Sequence, residues 1–398
     1  MRAARSPGAV REIPARPGRR PGLADWSVVN IIGEAVIDLA AIRENTAALG
    51  ERVGAAGLMA VVKADGYGHG MIPAANAALA GGAGWLAVVG VPEALALREA
   101  GITAPVLCLM DDPQGAHAEA IGRAIDLCVG TRGTLSGITA GARAAGRRAR
   151  VHLKADTGMS RGGATAADWP GLVDAALAAQ AEGYVEITAI WSHLASADIP
   201  GHSSVEAQLA AFGDAVELAE KAGARPELRH LANTAATLTR PEAWFDLVRV
   251  GGGIYGLGTM PGGPPGWLRP AMTARTRLVQ VKRVPAGSGV SYGHRYVTKT
   301  ETTLGLVPVG YAEGVPRAPS GVAQVHVAGR RRAICGTVCM NQFVLDLGDD
   351  PASAGDEVVL FGPGDAGEPT AQEWAEALGT ISYEIVTAFG GLWPKTYR

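Results

Sequence analysis

Short apolar runs along the chain alternate with longer stretches in which apolar residues recur at helical spacing. The runs fall near residues 58–62, 85–89, 105–109, 126–129, 150–154, 187–192, 228–231 and 247–250. Helical stretches separate nearly all of them. In 92–100 a proline opens the helix, and 205–222 holds helical spacing throughout. Residues 34–37 add a short strand, and Asp38 stands where an N-cap belongs ahead of the periodic run 39–45. Eight strands with helical crossovers inside roughly 200–250 residues predict an α/β fold, a (β/α)8 TIM-type barrel.

After a stretch rich in proline and glycine at 260–269, the pattern changes. Residues 276–284, 302–309, 322–327, 332–335, 343–347 and 357–360 are short runs bounded by turn residues, and 370–378 has helical spacing. This predicts a C-terminal β-domain with a closing helix. The expected organisation is a disordered N-terminal extension over 1–32, the barrel over 33–262 and the β-domain over 263–398.

Composition narrows the classes of function. Of 398 residues, 47% are hydrophobic and 19% charged, a globular balance, and a net charge of −2 gives no reason to expect nucleic-acid binding. Arg330, Arg331 and Arg332 lie within a strand pattern and read as a solvated edge. Cys108, Cys128, Cys335 and Cys339 form neither a disulfide framework nor a zinc knuckle, so reduced thiols, a cytoplasmic location and no metal are expected. No apolar run approaches the roughly 20 residues of a membrane span, and residues 1–22 lack the apolar core of a secretory signal.

Barrels carry chemistry at the carboxyl ends of their strands. Here Lys63 follows the first strand, Lys154 ends the fifth with Arg161 in the loop beyond, His193 ends the sixth, Asn233 follows the seventh, and Arg249 lies in the eighth. These side chains are expected to converge on one rim. Lys63, delivered by an apolar strand into Ala64-Asp65-Gly66-Tyr67-Gly68-His69-Gly70, has two readings. It is either a strand-end lysine that reaches solvent, or a desolvated amine able to condense with an aldehyde. The rim favours the second.

Several segments together resemble the alanine racemase family. They are Val62 to Gly70, His152-Leu153-Lys154-Ala155-Asp156-Thr157-Gly158-Met159-Ser160-Arg161, Ser192-His193, His230-Leu231-Ala232-Asn233, Val290-Ser291-Tyr292-Gly293 and Gly310-Tyr311-Ala312-Glu313-Gly314. The resemblance implies pyridoxal 5'-phosphate as cofactor, a small amino-acid substrate, and a head-to-tail homodimer with composite sites. It makes Lys63 the lysine that carries the cofactor and Tyr292, from the partner subunit, the second acid–base residue. Racemisation needs a proton to leave one face of Cα and return on the other, hence a base on each face. A tyrosine starts near pKa ~10, so it needs a cation or relay beside it, and the resemblance supplies His193 backed by Arg249.

The resemblance also aims Arg249 at the ring nitrogen of the cofactor. Arginine does not deprotonate, so that nitrogen stays an acceptor and the ring a weaker electron sink, which suits proton exchange over decarboxylation. Phosphate binding falls to Asn233, Thr234, Gly251 and Gly252, with the hydroxyls of Tyr67 and Tyr383. Arg161 is implied to take the substrate carboxylate, aided by the backbone amide of Met340 from the partner. Lys154 matches a lysine carried by the family as a carbamate, which would turn a repulsion with Arg161 into a pair. Gly251-x-Gly253-x-x-Gly256 imitates a dinucleotide fingerprint, but no helix or spaced acid follows it.

Departures are also visible. Thr234 stands for the usual serine, Asn341 for the usual aspartate after Met340, and residues 386–395 differ from the family's ending. The expected function is interconversion of L- and D-alanine, supplying D-alanine for peptidoglycan. Rivals are a racemase accepting larger amino acids, a related barrel decarboxylase of basic amino acids, for which Gly251-Gly252-Gly253 and Cys339 speak, and a non-catalytic pyridoxal-phosphate carrier. Arg249 and Tyr292 speak against the decarboxylase, and the β-domain against the carrier.

Overall fold

The structure is a computed structural model that describes residues 33–258, 260–318 and 320–398. The expected N-terminal extension over 1–32 lies outside the described residues.

The first strand, β1 (Gly33–Ile37), precedes the barrel strands β2 (Gly57–Val61), β3 (Trp85–Val88), β4 (Val106–Cys108), β5 (Asp126–Val129), β6 (Ala149–Lys154), β7 (Val185–Trp191), β8 (Leu228–His230) and β9 (Leu247–Val250). They form a parallel sheet in the order β8-β7-β6-β5-β4-β3-β2-β9, each expected run matched by a strand. Single backbone bonds draw β8 and β9 together: Asp246 N donates to Arg229 O at 3.1 Å and Arg249 N to Ala232 O at 3.0 Å. The barrel is therefore nearly closed. Strands buried on both faces are predominantly apolar, which is why they are legible as near-continuous runs.

Helices cover the outside. Leu39–Val53 starts at Asp38, whose carboxylate accepts from Ala41 N at 3.0 Å, and Val91–Glu99 has its proline in the first turn. Ser204–Ala222 buries Val205, Phe212, Val216 and Ala219 against the barrel. Inside the barrel, Met59, Val61, Ala87, Leu107 and Leu247 pack one apolar half. The other half is polar: Asp126, His152, His230 and Arg249 are all buried there.

The remaining strands are β10 (Met272–Arg277), β11 (Gln280–Val284), β12 (Gly289–Val290), β13 (Tyr296–Val297), β14 (Thr302–Val307), β15 (Gln324–Val327), β16 (Arg330–Cys335), β17 (Phe343–Gly348), β18 (Glu357–Phe361) and β19 (Lys395–Tyr397). Nine strands join in the order β11-β14-β17-β16-β15-β18-β10-β1-β19, and β12–β13 is a separate hairpin. Three differences from expectation arise here. The run 276–284 is two strands, because the chain bends at the buried Leu278 and its halves pair with β18 and β14. Strand β1, counted with the barrel on sequence, pairs antiparallel with β10 and parallel with β19 in the β-domain's sheet. A second C-terminal helix, Ser382–Gly390, follows Ala371–Leu378. Its threonine, valine and flanking glycines hid it, since none favours a helix.

Candidate active site

The carboxyl end of β2 leads into a turn of unusual hand. Ala64, Asp65, Gly66 and Tyr67 all have φ between 52° and 63°, one turn of left-handed helix directly after Lys63. Such backbone costs about 1–2 kcal/mol per non-glycine residue, so it must be held. Glu93 does part of this. One of its carboxylate oxygens accepts from Ala64 N at 2.8 Å and the other from Val89 N at 2.7 Å. Asp65 accepts from Met71 N at 2.9 Å and pairs with Lys395 at 2.9 Å. His69, fully buried, bonds through Nδ1 to the carbonyls of Gly66 and Tyr67, both at 3.0 Å, and stacks on Tyr255. Glu93 and Lys395 had no role on sequence. For Glu93 the signal available in the sequence was an acid in the first turn of a helix that follows a barrel strand.

The turn presents Lys63 to a cleft of about 750 Å³ at the barrel mouth. The structure gathers Tyr67, Lys154, Arg161, His193, Asn233, Thr234, Arg249, Gly251, Gly252 and Tyr383 around the same cleft. The rim expected from strand ends is one site. Tyr292 and Met340 do not line it. They stand on the β-domain surface, 72% and 56% exposed.

Charge sets the tone of the cleft. Burial lowers the pKa of Lys63, and Arg161, Arg249 and Lys154 lower it further. The neutral amine is thus favoured, the form that attacks an aldehyde. Burial also brings Arg249 down to about 9, still a cation at neutral pH. Its Nη2 donates to the carbonyls of Ser192 at 2.7 Å and Leu231 at 3.2 Å, and to Nδ1 of His193 at 3.1 Å. Burial, then Arg249 and Arg161, holds His193 neutral with Nδ1 as acceptor, so its proton sits on Nε2.

Lys154 has no ion pair among the described residues; its ammonium lies 4.5 Å from the Trp191 ring centroid. Asp156, the acid nearest in sequence, instead accepts from the amides of Gly158, Met159 and Ser160 at 3.0–3.1 Å and shapes the loop to Arg161. Burial and the nearby Arg161 and Arg249 lower the pKa of Lys154.

Glycines form the floor. A Cβ on Gly251 would strike the Tyr67 hydroxyl, and one on Gly252 the Tyr383 hydroxyl. Thr234 Oγ1 accepts from Gly251 N at 3.2 Å and Gly253 N at 3.4 Å, while the Asn233 side chain caps the helix Thr234–Thr239 through Ala236 N at 3.0 Å. The amides, the threonine and two phenols thus meet in a space that only glycine leaves open. Tyr383 arrives from the β-domain on Ser382–Gly390, and that helix touches the lysine turn closely. The Gly390 Cα packs against the Gly68 carbonyl, where a Cβ has no room.

Asn341 lies against a buried carboxylate. Its amide donates to Glu313 at 2.6 Å, and the other oxygen of Glu313 accepts from Gly310 N at 2.8 Å. Both oxygens of this buried carboxylate are thus occupied, one by Asn341 and one by the backbone of its own turn. Ser291 Oγ donates to the Thr337 carbonyl at 2.5 Å, and Thr337 Oγ1 to the Tyr292 carbonyl at 2.9 Å, so the Tyr292 loop and the Met340 loop are braced together.

A desolvated lysine at a barrel strand end, ringed by cations and floored by glycines and tyrosines, with a β-domain reaching into the cleft, defines a lysine-centred barrel enzyme. Residues 37–259 match the model of the alanine racemase N-terminal domain and 271–397 that of its C-terminal domain. The chain is 58% identical over 366 residues to an alanine racemase of Frankia casuarinae, covering 91% of this chain and 95% of that one. Among solved structures, an alanine racemase from Streptomyces lavendulae, a producer of D-cycloserine, aligns with a TM-score of 0.90 at 53% identity over 92% of this chain and 97% of that one. The alanine racemase of Bacillus anthracis with bound L-Ala-P aligns at 0.83 and 33% identity, over 92% and 95%. The chain belongs to the alanine racemase family and is an isomerase.

Proposed function

We propose that the cleft holds pyridoxal 5'-phosphate through Lys63 and racemises alanine with two opposed bases, Lys63 and the Tyr292 of a second copy. The observation that carries this reading is the single cleft in which a lysine of lowered pKa, a buried arginine and a glycine floor under two phenols meet. The residues fit the cofactor. The floor of Gly251, Gly252 and Thr234 with Tyr67 and Tyr383 suits a phosphate, and Arg249 would face the ring nitrogen. When bound, the cofactor draws electron density from the substrate Cα–H bond.

The chain's own groups divide the remaining work. Lys63 Nζ, neutral by burial, takes or returns the proton on one face of Cα. The phenol oxygen of Tyr292 serves the other face. His193, with its proton on Nε2, would donate to that oxygen and so lower the cost of its anion. Arg161, with the Met340 amide of the second copy, orients the substrate carboxylate. The exposure of Tyr292 and Met340 supports a homodimer, since burial by a partner gives both a use. Lys154 has no ion pair among the described residues, although Asp111 lies within electrostatic reach, and it is repelled by Arg161, which supports its carriage as a carbamate; an intact mass without the added carbon dioxide under bicarbonate would argue against it. We place the enzyme in the cytoplasm, supplying D-alanine for peptidoglycan.

Purified protein offered L-alanine in deuterium oxide is expected to exchange Cα hydrogen and yield D-alanine without carbon dioxide. Lys63→Ala should abolish both. Carbon dioxide release would favour a decarboxylase, absence of exchange in the unsubstituted protein a carrier, and turnover of a side-chain panel at comparable rates a broader racemase.

A further inference from the structure

Behind Arg249 a line of buried polar side chains runs down the barrel axis. Arg249 Nη1 bonds to Nδ1 of His230 at 3.0 Å, Nε2 of His230 to Nδ1 of His152 at 3.0 Å, and Nε2 of His152 to Oδ2 of Asp126 at 3.1 Å. Both imidazoles are fully buried, and Arg249 and Asp126 are each 3% exposed. The same Asp126 oxygen accepts from Arg150 Nε at 3.2 Å, and Arg150 also pairs with Glu186 at 3.0 Å and Glu227 at 3.6 Å at the amino-terminal mouth. The chain thus links the cofactor end of the barrel to its opposite end.

Its polarity is fixed by chemistry. A guanidinium has no acceptor, so Nδ1 of His230 must accept and Nε2 must carry the proton. That proton is donated to Nδ1 of His152, which leaves His152 to donate from Nε2 to Asp126. Every link points away from Arg249. Trp191 stacks on His230 with centroids 5.5 Å apart, and Trp85 stands edge-on to His152 at 5.6 Å, so the line is walled by aromatics. In a low dielectric, bonds in series reinforce one another, and a carboxylate at the far end makes the near imidazole a better acceptor. Arg249 Nε has no protein acceptor among the described residues, so the guanidinium keeps a donor for the cleft it lines.

We propose that Asp126, His152 and His230 are positioning residues: a one-way hydrogen-bond relay that fixes the Arg249 guanidinium and sets how strongly it donates to the cofactor ring nitrogen. This rests on the reading that Arg249 faces that nitrogen. Nothing is transferred along the relay; it holds a charge and an orientation.

Two measurements test it. In the unsubstituted holoenzyme with nitrogen-15-labelled histidine, His152 and His230 are each expected to carry the proton on Nε2 with Nδ1 bare. A proton on Nδ1 of either would overturn the polarity and with it the proposal. Reconstitution with ring-nitrogen-15-labelled pyridoxal 5'-phosphate then reads the effect at the cofactor. His152→Leu and Asp126→Asn are expected to move the ring-nitrogen resonance and the visible band, and to lower kcat on the order of 10-fold with little change in KM. His152→Gln, with one acceptor and one donor, should restore much of each. Resonances and kcat like those of the unsubstituted enzyme in folded His152→Leu would overturn the relay. If either substitution prevents folding, the histidine tautomers of the unsubstituted enzyme still decide. An unsubstituted protein that forms no lysine-bound cofactor band would instead overturn the cofactor reading.

Discussion

At the scale of single residues, the site depends on side chains whose environments conflict with their ordinary ionisation. His69 is the clearest. Burial pulls its pKa down to about 4 from an unfolded value of 6.5, although the Gly66 and Tyr67 carbonyls work the other way. The unfolded chain therefore takes up a proton that the native one refuses, so stability is full above pH 6.5 and falls as pH drops toward about 4. The loss from this residue is on the order of 3 kcal/mol. Urea midpoints at pH 7.5, 5.5 and 4.5 should show that slope, and a folded His69→Gln variant should show less of it. Asn341 makes a second prediction. Aspartate there would face the buried Glu313 carboxylate across a 2.6 Å contact. Asn341→Asp should cost on the order of 1–3 kcal/mol at pH 7.5 in chemical denaturation and recover partly as the pH falls. The strand-end residues were legible because each is an isolated polar group at the end of an apolar run. His152 and Asp126 were not, since one polar residue inside such a run looks like noise. Only the alternation Arg150, His152, Lys154 betrays a polar inward face on β6.

Elements make the site out of parts that look ordinary in isolation. All eight barrel strands could be read from their apolar runs, but the hand of the turn after Lys63 could not. Alanine, aspartate and tyrosine all prefer right-handed backbone, and bonds from Glu93, His69, Met71 and Lys395 hold them in the other hand. The helix Ser382–Gly390 was hidden for the opposite reason, since its propensity is poor and its docking supplies the stability. That docking can be tested at Gly390. Gly390→Ala would drive a methyl into the Gly68 carbonyl, where both partners are backbone and cannot swing aside. The expected result is faster loss of pyridoxal 5'-phosphate and a lowered thermal midpoint, because the lysine turn and Tyr383 move together. Retention equal to that of the parent protein would show that the helix adapts freely. Two-residue strands such as β12 and β13 fall below what periodicity can detect, so the hairpin that carries Tyr292 was placed only by its motif.

For the whole molecule, the cleft and the exposed Tyr292 belong to different faces of one chain, and a second copy is proposed to unite them. Mixed dimers test this. A Lys63→Ala chain and a Tyr292→Phe chain are each expected to be nearly inactive. Unfolded together and refolded, they should regain roughly a quarter of the parent rate, since half the dimers are mixed and one of their two sites is intact. No recovery would place both bases in one chain.

The nine-stranded sheet sets β1 between β10 and β19, and Thr396 Oγ1 donates to Glu34 across a separation of 362 residues. A ribosome makes β1 among the earliest of the described residues and must translate almost all the others before β19 can lie beside it. Until then, one edge of β1 stays open, and Lys395 cannot brace the left-handed turn through Asp65. The left-handed turn after Lys63 gains this last brace only when two segments far apart in the sequence meet. The bracing of that turn therefore depends in part on translation having run through Lys395. A chain stopped a few residues short would lack this brace and leave one edge of β1 open, features that make a segment easier to open locally.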